Sequence, residues 1–166
     1  MAPAFLSQGL GIVYDRPSWG LYTRVAPITA RQIIVTVPDI DETQFGVDSG
    51  KTLQSQYGAS LRVDYRKELV SYNNFRLGVE SRFSLFTDFA DFGNFVTNWR
   101  NKVNFNVYKV FTISIIAHLI YDPSVLFPDQ TQLNPDGTTT VLTSVPKVQF
   151  LQNIGFGIGY QITKRK

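Results

Sequence analysis

The sequence predicts an all-β protein, a transmembrane antiparallel up-and-down β-barrel of about eight strands. Three observations carry this: a two-residue alternation of apolar and polar side chains along almost the whole chain, an aromatic content of 14%, and connections that alternate short and long. The alternation is clearest near the C-terminus. Over residues 147 to 162, Val148, Phe150, Ile154, Phe156, Ile158, Tyr160 and Ile162 alternate with Gln149, Asn153, Gly155, Gly157, Gly159 and Gln161. A half-buried strand of a soluble sheet shares this period, but seldom with so uniform a dry face or with stacked glycine on the wet one. Such a strand suits an apolar face turned to lipid.

Seven earlier segments repeat the pattern. Residues 5 to 15 set Leu6, Leu10, Ile12 and Tyr14 against Ser7, Gly9, Gly11 and Asp15. Residues 18 to 26 set Trp19, Leu21 and Val25 against Gly20, Tyr22 and Arg24. Residues 31 to 37 are apolar on both faces through Ile33, Ile34 and Val35, which leaves that strand the least defined. Residues 57 to 66 oppose Tyr57, Ala59, Leu61, Val63 and Tyr65 to Gly58, Ser60, Arg62, Asp64 and Arg66. Residues 74 to 86 oppose Phe75, Leu77, Val79, Phe83 and Leu85 to Arg76, Gly78, Glu80, Arg82 and Ser84. Residues 94 to 107 oppose Phe95, Trp99, Val103, Phe105 and Val107 to Asn98, Arg100, Lys102, Asn104 and Asn106. In residues 110 to 121 the polar face, Thr112, Ser114 and His118, is interrupted by Ile116 and Ile120.

The whole chain, residues 1–166, reads as a single domain with long loops at 38–56 and 122–146. Counting back from the C-terminus, the long 122–146 connection has a hairpin tip at Asn134-Pro135-Asp136-Gly137. A tight turn at Tyr108-Lys109, a middling loop at 87–93, a short turn at 67–73 and the long acidic 38–56 loop follow. Then come a short turn at Pro27-Ile28-Thr29 and a short connection at Arg16-Pro17, the one break in the parity. Outer-membrane barrels alternate short inner turns with long outer loops.

Hydrophobic residues make up 43% of the chain, and the mean hydropathy is −0.06, as alternation requires. No run of about 18 apolar residues is present to form a membrane-spanning helix. The absence of cysteine excludes disulfides, thiol chemistry and Cys-ligated metal. A net charge of +3, with basic residues scattered except for Lys164-Arg165-Lys166, gives nucleic acid no electrostatic footprint. Met1-Ala2-Pro3 lacks the charged start and apolar core of a leader, so a mature or truncated form with an added Met is expected if the protein is exported.

The polar face carries the candidate site, a lumen charge network of Arg62, Asp64, Arg66, Arg76, Glu80, Arg82, Arg100 and Lys102. Six cations face two carboxylates there, which calls for water, amide partners or an anionic guest. Trp19, Tyr65, Trp99, Phe105, Phe156 and Tyr160 are expected to face lipid or form its interfacial girdles. No enzymatic activity, cofactor or metal is expected. The sole histidine, His118, shares its face with Ser114 and Asp122, but residues four apart on a strand are about 13 Å apart, too far for a nucleophile relay. Asp39, Asp41, Glu42 and Asp48 lack the one-three-five spacing of a calcium loop. Gly155, Gly157 and Gly159 lack the following helix of a phosphate loop.

The stretch Asn98-Trp99-Arg100-Asn101-Lys102 through Asn104-Phe105, the Tyr108-Lys109 turn and His118-Leu119-Ile120-Tyr121-Asp122 resemble a Bacteroidota outer-membrane β-barrel family known only as a domain of unknown function. So do Gly9-Leu10-Gly11-Ile12-Val13-Tyr14, Ala26-Pro27-Ile28-Thr29-Ala30-Arg31, Gln149-Phe150 and Gly157-Ile158-Gly159-Tyr160. The resemblance covers most of the chain and corresponds to the C-terminal part of longer members, which implies that these strands are part of a larger barrel. It implies location in the bacterial outer membrane and no particular activity. Gly157, Tyr160 and Ile162 resemble the signal read by the barrel-assembly machinery, although such signals end on the last aromatic and here Thr163-Lys164-Arg165-Lys166 continue.

The expected role is a scaffold or interaction subunit with a mostly filled polar lumen, embedded in outer-membrane lipid and meeting other envelope proteins through its loops. The residues leave open a small anion-selective channel, porin-like in build. They also leave open a soluble lipocalin-like lipid carrier, because alternation does not say which face points inward.

Overall fold

Seven strands form one antiparallel meander sheet in a computed structural model that describes residues 4–36, 47, 49–108, 110–133 and 139–159. They are β1 (Ala4–Arg16), β2 (Leu21–Ile34), β3 (Leu53–Tyr72), β4 (Phe75–Asp88), β5 (Phe95–Val107), β6 (Phe111–Tyr121) and β9 (Gln149–Ile158). The order in the sheet is β1-β2-β3-β4-β5-β6-β9. Strands β7 (Leu126–Leu133) and β8 (Thr139–Pro146) pair as a separate hairpin inside the long 122–146 connection. The predicted tip at Asn134–Gly137 falls between them, outside the described residues.

The expected count of about eight strands in the sheet is seven among the described residues, because the segments 18–26 and 31–37 are not two strands. Residues 21–26 and 31–34 lie within a single strand, β2, and the turn expected at Pro27-Ile28-Thr29 is a bulge inside it. The register with β3 shifts between Ala26 and Thr29. A bulge leaves a residue out of the ladder, so the N–H that proline lacks is not needed there. The broken parity disappears with it. Connections 17–20, 73–74 and 108–110 all lie at one end of the sheet, and the longer 35–52, 89–94 and 122–148 connections all lie at the other. The 67–73 turn is also corrected: β3 continues to Tyr72, and Asn73 (φ 25°) opens a two-residue turn with Asn74.

Two glycines are dictated by backbone approach. Gly20 has φ +68°, and its carbonyl accepts the Arg66 N–H at 2.7 Å; a Cβ there would lie 1.8 Å from the Arg66 carbonyl oxygen. A Cβ on Gly58 would lie 1.8 Å from the Thr87 carbonyl oxygen on β4. Gly58→Ala is therefore expected to cost about 1–3 kcal/mol by forcing β3 and β4 apart. Gly78→Ala, with nothing within 4 Å of its Cβ, is expected to be neutral or slightly stabilising. Urea midpoints of the two variants check this.

The sheet is curled. Arg31 on β2 reaches Asp122, just past β6, at 2.8 Å, although three strands separate β2 from β6 in the sheet. Such a contact requires the sheet to bend back on itself. The concave side carries the polar face: Arg62, Ser84, Asn98 and Gln149, from β3, β4, β5 and β9, line one common cavity. The convex side carries the apolar face, with Leu10 73%, Ile154 62% and Phe156 80% exposed. Among the described residues the buried apolar set is Ala26, Ile33, Val35, Val47 and Phe86. Of these, Ile33, Val35 and Val47 form one cluster at the long-loop end.

Candidate functional site

Two cavities run along the concave side. One, of about 580 Å³, lies toward the short-turn end and is lined by Asp15, Tyr22, Asp64, Arg66, Glu80, Arg82, Arg100 and Lys102 among others. The other, of about 630 Å³, lies toward the long loops and includes Phe5, Arg24, Arg31, Arg62, Phe86, Ile120 and Asp122. Strand alternation explains the assembly: every second residue of neighbouring antiparallel strands points to the same side, and the register sets them in rows. Arg62 faces Ser84, Asp64 faces Arg82, Arg66 faces Glu80 and Glu80 faces Lys102.

Seven of the eight residues expected in the charge network line these cavities. Asp64 is the hub. Its Oδ2 accepts from Arg62 Nε at 2.7 Å and its Oδ1 from Arg82 Nε at 2.6 Å. Arg66 Nη2 meets Glu80 Oε2 at 3.3 Å. Glu80 thus pairs with Arg66 on one side and leaves Lys102, its register partner on the other, without a carboxylate within salt-bridge distance among the described residues. Arg100 is in the same position, facing Arg82 on β4 and His118 on β6. Arg76 shares the face but lines neither cavity; it faces Ser71 and Asn106.

Amides and hydroxyls complete the polar rows across β5 and β6. Asn106 Oδ1 accepts from Thr112 at 2.7 Å, Asn104 Oδ1 accepts from Ser114 at 2.8 Å, and His118 Nε2 lies 2.8 Å from Asn98 Oδ1. Ser114, His118 and Asp122 therefore each engage a different partner. No group of three or more potential metal ligands occurs among the described residues.

A bar across the long-loop end of the groove was not foreseen. Arg31 bonds Asp122 at 2.8 Å and Gln56 at 3.3 Å, and its guanidinium lies 5.6 Å from the Phe5 ring centre and 5.9 Å from that of Phe86. Both ends of the ion pair are largely buried, with side-chain exposures of 14% and 8%. Burial pushes the Asp122 carboxyl up. The Ser124 hydroxyl, Arg31 and the Ser124 backbone N–H outweigh that and hold it below the ordinary carboxylate value of 3.8. A depressed carboxylate contributes stability that is present above its unfolded value and lost as pH falls through the folded one. Acidification below about pH 4 is expected to remove this contribution, and Asp122→Asn to lack that acid-sensitive component. Urea unfolding at pH 7 and at pH 3 measures the difference.

The expected lipid-facing residues behave as follows. Trp19 is 53% exposed at the short-turn end, with the Arg16 guanidinium 3.7 Å from its ring centre. Trp99 is 44% and Phe156 80% exposed. Tyr65 and Phe105 share the convex face and are half-buried. Two polar side chains on this face satisfy each other. Ser81 donates to Asn101 Oδ1 at 2.7 Å and accepts from Trp99 Nε1 at 3.1 Å. In the assembly signal, a Cβ added at Gly157 would make only ordinary contact with Thr112. Tyr160 and Ile162 lie outside the described residues, as do Asp39, Asp41, Glu42, Asp48, Lys109 and the terminal Lys164-Arg165-Lys166.

Comparison with protein-family models, with curated proteins and with solved structures gave no match.

Proposed function

We propose that this chain is a non-enzymatic outer-membrane β-barrel protein that serves as a scaffold or interaction subunit, of the kind its resemblance to the Bacteroidota family implies. The convex face carries the reading: it exposes Leu10, Ile12, Tyr57, Ile115, Phe150 and Phe156 together. A monomer in water rarely exposes so continuous an apolar surface. The buried apolar set on the concave side is far too small to be the core of an ordinary soluble domain of this length. Exposed aromatics gather toward both ends, with Tyr57, Phe95 and Phe150 near the long loops and Trp19, Tyr72 and Phe111 near the short turns. That matches paired interfacial girdles. Strands of 10 to 20 residues meet the length of about 9–11 tilted residues that crosses a bilayer.

The same curvature speaks against a lipocalin-like carrier, whose apolar face must line the inside. The Arg31–Asp122 bar favours a scaffold over an anion channel, since it crosses the groove at the long-loop end. The test is alkaline carbonate extraction of membranes followed by gel mobility before and after boiling. Retention with a heat-dependent shift is expected, and release as a soluble monomer would overturn the membrane reading.

A further inference from the structure

Two adjacent rows of the sheet concentrate positive charge in the cavity at the short-turn end. Across β4 and β5, Arg82 stands directly opposite Arg100, and two residues further along β5, Lys102 stands opposite Glu80. All four line the same cavity of about 580 Å³. Like charges opposite each other on neighbouring strands destabilise the pair, so the Arg82–Arg100 register carries a local cost. Both strands are interior to the sheet, each hydrogen-bonded on two sides, and that register is fixed.

The carboxylates of the cavity are engaged elsewhere or stand apart. Asp64 accepts from Arg62 and from the Nε of Arg82, and Glu80 meets Arg66 on its other flank at 3.3 Å. Asp15 lines the cavity from β1, four strands away from β5 in the sheet, and makes no ion pair among the described residues. Lys109 and residues 160–166, which follow strand ends on this side, include no aspartate or glutamate. The acidic 38–48 stretch belongs to a connection at the opposite end.

Room and further donors lie beside the cations. In the next row toward the short turns, Gly78 faces Asn104, Asn104 faces Ser114 and Ser114 faces Gly155. A Cβ at either glycine would meet nothing within 4 Å. Asn104 Oδ1 accepts from Ser114 at 2.8 Å, which leaves its amide nitrogen as a donor.

We propose that Arg82, Arg100 and Lys102 bind a phosphate group inside the groove, admitted from the short-turn end. The fork of Arg100 takes two oxygens, the Lys102 ammonium takes a third, and the Nη atoms of Arg82, whose Nε is used by Asp64, complete the set. A carboxylate offers two oxygens and a phosphate group three or four, so this donor set matches the tetrahedral anion. The anion is held rather than conducted, because the Arg31–Asp122 bar crosses the other end of the groove. The phosphate group belongs either to a soluble phosphate or to a lipid headgroup reaching in past the short turns. The site goes beyond the scaffold reading and does not depend on it, since the groove is the same whether the convex face meets lipid or water.

Calorimetric titration of the full chain with inorganic phosphate, in a maltoside detergent at low ionic strength to limit screening, tests the site. One saturable site is expected. Its affinity should fall on the order of tenfold or more in Arg100→Gln and in Lys102→Gln, and stay unchanged in Arg76→Gln, whose arginine shares the face but lines neither cavity. Phosphate should also raise the thermal midpoint of the parent and of Arg76→Gln, read by circular dichroism, but not that of Arg100→Gln. Should Arg100→Gln fail to fold, Lys102→Gln decides. Glycerol phosphate and phosphatidic acid then separate the two sources: tighter binding of the first assigns a soluble ligand, and tighter binding of the second a headgroup. No saturable binding of phosphate, undiminished binding in the glutamine variants at Arg100 and Lys102, or acetate bound as tightly as phosphate would overturn the proposal. Carbonate release of the chain, by contrast, would refute the membrane reading and leave the titration valid.

Discussion

Arginine at Ile115 is expected to abolish membrane assembly, while aspartate at the very next residue, Ile116, is expected to be tolerated. The two isoleucines are neighbours in sequence and opposite in environment. Ile115 faces Val103 on one side and Ile154 on the other, on the convex face, and is 42% exposed. Near the middle of β6 it would meet the centre of the bilayer, where an arginine on the lipid face costs about 2–4 kcal/mol. Ile116 points into the groove and faces Lys102, a cation without a carboxylate partner among the described residues, so an aspartate there gains an opposite charge. Heat-modifiable mobility of each variant in isolated membranes reads the outcome. Equal assembly of both, or failure of Ile116→Asp alone, would reverse the assignment of the faces.

Removing the carboxylate of Asp122 is expected to be the most damaging single change within the groove. Asp122→Ala strands the Arg31 guanidinium between Phe5 and Phe86 with only Gln56 to receive it among the described residues. Breaking a buried pair from one side typically costs about 3 kcal/mol or more, because the surviving charge is left without compensation. For a chain of this length that lowers the unfolding midpoint by on the order of 10 °C. Replacing both members with apolar residues, Arg31→Met with Asp122→Leu, is expected to recover most of the loss, since two well-packed apolar groups avoid the desolvation that the pair must offset. The mobility-shift temperatures of the single and double variants form the test. A double variant as unstable as Asp122→Ala would mean that the stacking between the two phenylalanines, not the charge pair, holds this end of the sheet.

How much of this was legible beforehand varies along the chain. Residues 57–66, 74–86 and 94–107 each set their polar side chains on one face, and the structure gathers those faces into one groove. The rows Arg62–Asp64–Arg82 and Arg66–Glu80 follow from alternation plus antiparallel register. Residues 18–37 misled, since Pro27 reads as a turn wherever a strand is assumed to need an unbroken ladder; a bulge removes that need, and local sequence does not announce it. Phe86 and Ile120 sit on the polar face against the pattern. Phe86 makes sense only beside Arg31, which alternation places on a strand but not opposite Asp122. Ser81 and Asn101, polar residues on the apolar face, bond each other, and Ser81 also accepts from Trp99.

The sequence by itself determined the strand periodicity, the two unlike faces, the separation of long and short connections and the absence of thiol chemistry, because each depends on residues close together in the chain. The tertiary structure decided the number of strands among the described residues, the side to which the sheet curls, the Arg31–Asp122 bar and the direction shared by the outer strands β1 and β9. These depend on register shifts of one or two residues and on contacts between segments 91 residues apart, for which a local pattern of side chains carries no record.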